Sequence, residues 1–172
     1  RSFYNLIRPF GTFSATCYIA IGIRRQIKVD KQSISFARLL KELAETPSIL
    51  SRKYYTGLYK NEGLKSLDFD QFCTKEEGNH ISPKMVEADL EKLKRIASNV
   101  EGFADKRVAH HDRKPPKILP TFNEVDDCLK VLDELYVKYH LIFHAESMAS
   151  LMPTYQYDWK EIFEVPWIDS KE

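Results

Sequence analysis

The chain has 172 residues, of which 43% are apolar and 30% charged, with a formal net charge of +1. That is enough chain for one domain with a sizeable core, and the composition excludes a fibrous, low-complexity or disulfide-dense protein. The near-zero net charge excludes a global attraction to nucleic acid, so any such attraction must be local.

In chain order, residues 1–28 read as a first helix, with Pro9 near the start of its regular part. Phe10, Phe13, Cys17, Ala20 and Arg24 fall on one stripe, and Arg24, Arg25 and Lys28 cluster at the end, where cations suit the helix dipole. Ser33 is expected to cap a second helix over Ile34–Ala44, buried through Phe36, Leu39, Leu40 and Leu43. Thr46 followed by Pro47 predicts a short third helix to about Tyr55. Gly57 to Ile81 has no clean period and reads as a loop with one helical turn near Asp68–Cys73.

Ser82-Pro83 restarts the chain as cap and first helical residue. The long helix it opens is expected to reach about His110, with Val86, Leu90, Leu93, Ala97, Val100 and Ala104 buried. At the same three-four spacing, the stripe then turns charged at Arg107 and His111. Gly102 interrupts this helix, and residues 112–120 form a proline loop. Thr121 and Glu124 make a capping box. It opens a helix to about Ala145, expected to bury Val125, Leu129, Leu132, Tyr136, Tyr139 and Phe143. The tail carries Tyr155, Tyr157, Trp159, Phe163 and Trp167, a density of rings that suits docking on the bundle or on a partner.

No stretch alternates with period two, and no internal repeat is present. The reading is an all-α, antiparallel helical bundle of four to five main helices over residues 1–150, with a short aromatic C-terminal extension, 151–172, packed on it. Cys17, Cys73 and Cys128 are odd in number and form no CxxC, which fits a reducing cytoplasm. Cys17 and Cys128 read as buried hydrophobes. The longest strongly apolar run, about Cys17 to Ile23, is far short of the roughly 20 residues a membrane helix needs. No secretory signal is evident.

Phosphate-loop, dinucleotide and HExxH motifs are missing. His140 and His144 stand at i, i+4, but no third ligand stands at a telling spacing. Two partly exposed helix histidines are therefore expected, with no metal site and no cofactor. The residues best suited to chemistry are Lys106, Arg107, His110, His111, Arg113, Lys114 and Lys117, a compact basic segment opposed only by Asp112. An imidazole there can move a proton to or from a ribose near neutral pH, and a guanidinium can stabilise charge on phosphate. A basic helix end followed by a solvated loop is the plainer account of the same residues.

The string Asp105-Lys106-Arg107-Val108-Ala109-His110, ending a long helix before a loop and a capped helix, resembles the HEPN superfamily. With Arg24-Arg25, the run Asp30 to Leu40, Tyr157 to Phe163 and Pro166-Trp167, the chain is similar to its abortive-infection, AbiU-type branch. The resemblance implies a helical bundle, usually dimeric, whose motifs meet in a shared cleft. It also implies a role in prokaryotic phage defence or toxin–antitoxin systems, with metal-independent endoribonuclease activity. The family motif is Arg, then four to six residues, then His. The His carries over to His110. The positions from which the Arg would come hold Phe103, Ala104, Asp105 and Lys106, so the Arg does not carry over.

Two readings follow. In the first, the chain is a ribonuclease or ribonuclease-like toxin with His110 as acid–base group and Arg107, Lys106 or His111 beside it. In the second, it is an inactive module that binds RNA, an antitoxin or another protein through residues 106–117. Arg24, Arg25, Arg113, Lys114 and Lys117 are the expected RNA contacts in both. A helical scaffold with no nucleic-acid role is a third reading, favoured by the near-neutral net charge.

Overall fold

The computed structural model describes residues 4–59, 67–73, 78–109, 119–152 and 158. The protein is an all-α helical bundle. Among the described residues there is no strand, only one bridge between Ser51 and His80. No described helix is long and apolar enough to cross a membrane.

Helix α1 covers Tyr4–Ile27, so it includes Pro9 beyond its first turn. Its described inner face is Ala20, Ile23 and Ile27. Cys17 is only half-buried but packs against the core. Helix α2 covers Phe36–Glu45 and is capped by Ser35, not Ser33. The reason is local: the Asp30 carboxylate accepts the backbone N–H groups of Gln32 (3.0 Å) and Ser33 (2.7 Å) and draws Ser33 into a turn. Ser35 accepts the Arg38 N–H at 3.1 Å and donates to the Lys28 carbonyl, joining the end of α1 to the start of α2. Ala37, Leu40 and Leu43 are buried, Phe36 and Leu39 half-buried, and Ile34 lies outside the helix, fully exposed.

The expected third helix is broken in two. A 3-10 turn at Pro47–Ile49 is followed by helix α3, Arg52–Leu58, which Ser51 caps. The break buries Leu50, whose carbonyl accepts the Ile81 N–H at 3.1 Å. Helix α4 is the single turn Leu67–Asp70, close to where the sequence placed one. It brings Phe69 into the core.

Helix α5 covers Pro83–Phe103, capped by Ser82, and buries Val86, Leu90, Leu93, Ala97, Val100 and Phe103. It packs against α1, α2 and helix α6, Phe122–His144. The capping box of Thr121 and Glu124 is formed in both directions. Four contacts set α6 antiparallel to α5: Asn99–Glu124 (2.7 Å), Cys128–Ile96 (3.4 Å), Lys92–Glu134 (2.8 Å) and Lys138–Asp89 (2.6 Å). The buried face of α6 is Val125, Cys128, Val131, Leu135, Tyr139 and Ile142. This corrects the expected face, because Leu129 and Tyr136 are 43% and 39% exposed and Leu132 and Phe143 only half-buried. Asp89 accepts the Tyr139 hydroxyl at 2.9 Å as well as Lys138, so Tyr139 must point inward. Burial pushes its phenol far above the ordinary range. Cys128 is fully buried, and burial lifts its thiol to about 11, so it packs as an inert small hydrophobe.

After α6 the chain turns back through Ala145, which adopts φ 53°. Asp133 then accepts from Ser150 Oγ (3.1 Å) and Leu151 N (2.5 Å), so the start of the C-terminal extension lies against α6. The five aromatic residues of the tail lie outside the described residues.

The rotation of α6 is testable by two identical truncations on one helix. Leu135→Ala should cost about 2–5 kcal/mol in urea denaturation, as for a buried leucine. Leu129→Ala should cost under about 1 kcal/mol. Equal losses would mean that the sequence-expected face is also packed.

Candidate functional site

The site is built where the end of α5 meets the end of α1. Beyond Phe103 the backbone widens into a π turn over Ala104–Ala109. Such single-turn π segments are common at functional sites. The expected continuation of the buried stripe onto Arg107 and His111 falls on side chains outside the described residues. Phe103 and Ala104 are both buried, and the next residue, Asp105, faces α1.

Arg24 donates its Nε–H to Asp105, and Lys28, one turn along α1, reaches Glu101 at 2.9 Å and Asp105 at 3.3 Å. Two cations at i, i+4 thus face two carboxylates at i, i+4 on an antiparallel helix. The four side chains are 26% to 34% exposed, and their charges cancel. Partial burial opposes ionisation of Asp105, but the hydrogen bonds from Arg24 and Lys28 outweigh it and hold its carboxyl below the ordinary range. The bond to Glu101 leads in raising the Lys28 ammonium above its ordinary value, against a smaller opposing effect of burial.

This pairing adds to the favourable position of Arg24 and Lys28 at the helix C-terminus. Arg25 and Lys106 are exposed and make no ion pair among the described residues. The backbone of Arg107 lies in the π turn. His110, His111, Arg113, Lys114 and Lys117 lie outside the described residues. Of the sequence-nominated groups, Arg24 and the Asp105–Arg107 backbone are therefore brought together.

Lys28 and Glu101 were not singled out as a pair by the sequence reading. Their signal was present as matched i, i+4 spacing of opposite charge, but it becomes legible only once α1 and α5 are known to run antiparallel.

Below this end, a groove of ≈ 400 Å³ between α5 and α6 is lined by Arg95, Ile96, Ser98, Asn99, Glu124 and Asp127. Glu124 there is already engaged by Thr121 and Asn99. His140 is half-buried and His144 exposed, as expected, and their ring centroids lie 4.7 Å apart. No group of three or more metal-ligating side chains occurs among the described residues.

Compared with family models, curated proteins and solved structures, the chain matches none.

The ion pairs predict a pH signature. Because folding lowers the Asp105 pKa, its stabilisation is present above the ordinary carboxylate pKa of about 4 and is lost as pH falls through the lower folded value. Asp105→Asn should therefore lower the urea midpoint at neutral pH, by on the order of 1 kcal/mol after allowing for solvent screening. The gap to wild type should narrow at about pH 3. A constant gap across that range would show that Asp105 acts through packing.

Proposed function

We propose that this chain is a HEPN-like, RNA-directed protein of prokaryotic defence that grips RNA through the basic end of α5 and the segment after it. The observation that carries this reading is the state of the motif positions. Phe103 and Ala104 are buried in the core, and Asp105 is occupied with Arg24 and Lys28. None of these three positions supplies a guanidinium, and Lys106, the fourth, is an exposed ammonium. Exposed Arg25 and Lys106, with Arg113, Lys114 and Lys117, then supply phosphate contacts of the point-charge kind. The same resemblance supports a cytoplasmic homodimer, and an antitoxin or other protein as regulatory partner.

A second reading has one observation in its favour. Arg24 is held at Asp105, five residues before His110, so a guanidinium does stand beside the string, supplied by another helix. In that reading Arg24 stabilises charge on the scissile phosphate, His110 moves the proton, and His111, Arg107 or Lys106 assist in metal-independent cleavage. Against it, Arg24 is already neutralised by a carboxylate.

Incubation of purified protein with mixed RNA in chelator separates the two. Binding without cutting is expected. Affinity should fall steeply with salt, and Arg25→Ala or Lys106→Ala should each reduce the salt slope by about one. Cutting lost in both His110→Ala and Arg24→Ala would establish the second reading. Absence of RNA binding at low salt would reject both.

A further inference from the structure

We propose that His140 and His144, at the end of the bundle opposite Lys106, form a two-imidazole site for a divalent first-row transition-metal ion. The sequence reading set this pair aside for want of a third ligand. The structure adds what the spacing alone lacked, a fixed tautomer.

His140 Nδ1 lies 3.2 Å from the carbonyl oxygen of Glu146. A carbonyl oxygen only accepts, so Nδ1 carries the proton and Nε2 keeps its lone pair. This is the arrangement of a metal-binding histidine, in which the other ring nitrogen donates to a backbone carbonyl and so orients the ring. It exists because Ala145 turns the chain back with φ 53°, bringing Glu146 alongside the last turn of α6. His144 stands one turn on, on the same helix face, with its ring centroid 4.7 Å from that of His140. The Tyr136 ring, with its centroid 6.1 Å from that of His140, supports the ring from the other side. The spacing is chemically competent, since two histidines at i, i+4 on a helix supply two ligands of known zinc sites.

The site is open. Among the described residues no third ligand joins the pair, so water completes the coordination. Imidazole nitrogens select Cu²⁺, Ni²⁺ and Zn²⁺ over Mg²⁺, which takes oxygen ligands. An ion held by both rings would link residues one turn apart and stiffen the last turn of α6.

The test is calorimetric titration of the full chain with Ni²⁺ alone, with Mg²⁺ as control, and with thermal unfolding measured alongside. Binding of one Ni²⁺ per chain is expected, weakened at least about tenfold in His140→Ala and in His144→Ala, as befits loss of one of two ligands. A rise in melting temperature with Ni²⁺ is expected in wild type and in the His110→Ala, His111→Ala double variant, but not in either α6 variant. Ni²⁺ binding that survives both α6 substitutions, or that disappears with His110 and His111, would overturn the proposal. So would equal binding of Mg²⁺. None of these outcomes depends on RNA binding.

Discussion

Two cations one turn apart at the end of α1 meet two carboxylates one turn apart at the end of α5, and the upper end of the bundle depends on that match. Helix α1 is apolar over much of its surface, so packing alone leaves its sliding and rotation against α5 weakly specified. Arg24 and Lys28 against Asp105 and Glu101 supply the register. The pairs are partly shielded from water, which strengthens them relative to a surface pair but keeps enough hydration to avoid the full cost of burial. With that register set, Ser35 can join the end of α1 to α2, and Asp105 is oriented at the point where α5 becomes a π turn.

Local signals were the most legible part of the fold. Ser82-Pro83 and the box of Thr121 and Glu124 act within four residues, so nothing distant can override them, and both helix starts stand where the sequence placed them. The α5 stripe was legible because only one face of that helix is consistently apolar. Failures came where two local options competed. Ser33 and Ser35 are both able to cap, and the carboxylate of Asp30 decides between them. Helix α6 carries two adjacent apolar stripes, and no pattern within it says which one meets α5. Packing makes that choice, with Val131, Leu135 and Ile142 joining Val125, Cys128 and Tyr139 in the core. The Pro47 helix broke because burial of Leu50 and its bond to Ile81 outweighed continuation.

The candidate site was legible in outline and not in its wiring. The basic segment, and the departure from the motif of the family the chain resembles, are plain in the residues themselves. That Ala104 is a core residue, and not an open position awaiting a longer side chain, was legible in the α5 stripe and is borne out by its full burial. An Arg there would require a different end to α5, since a buried guanidinium without a partner is costly. The departure at this position is thus structural as well as chemical. It supports the proposed binding reading over cleavage, because the Arg24 guanidinium beside Asp105 comes from α1 already paired with that carboxylate.

The claim on which this account rests is that Arg24 and Asp105 interact directly and set the end of the bundle. A double-mutant cycle with Arg24→Ala, Asp105→Ala and the pair, followed by urea denaturation at neutral pH and low salt, measures that interaction. The account predicts a favourable coupling energy of about 0.5–3 kcal/mol, the range for residues in one ion-pair network. Strictly additive losses would contradict it.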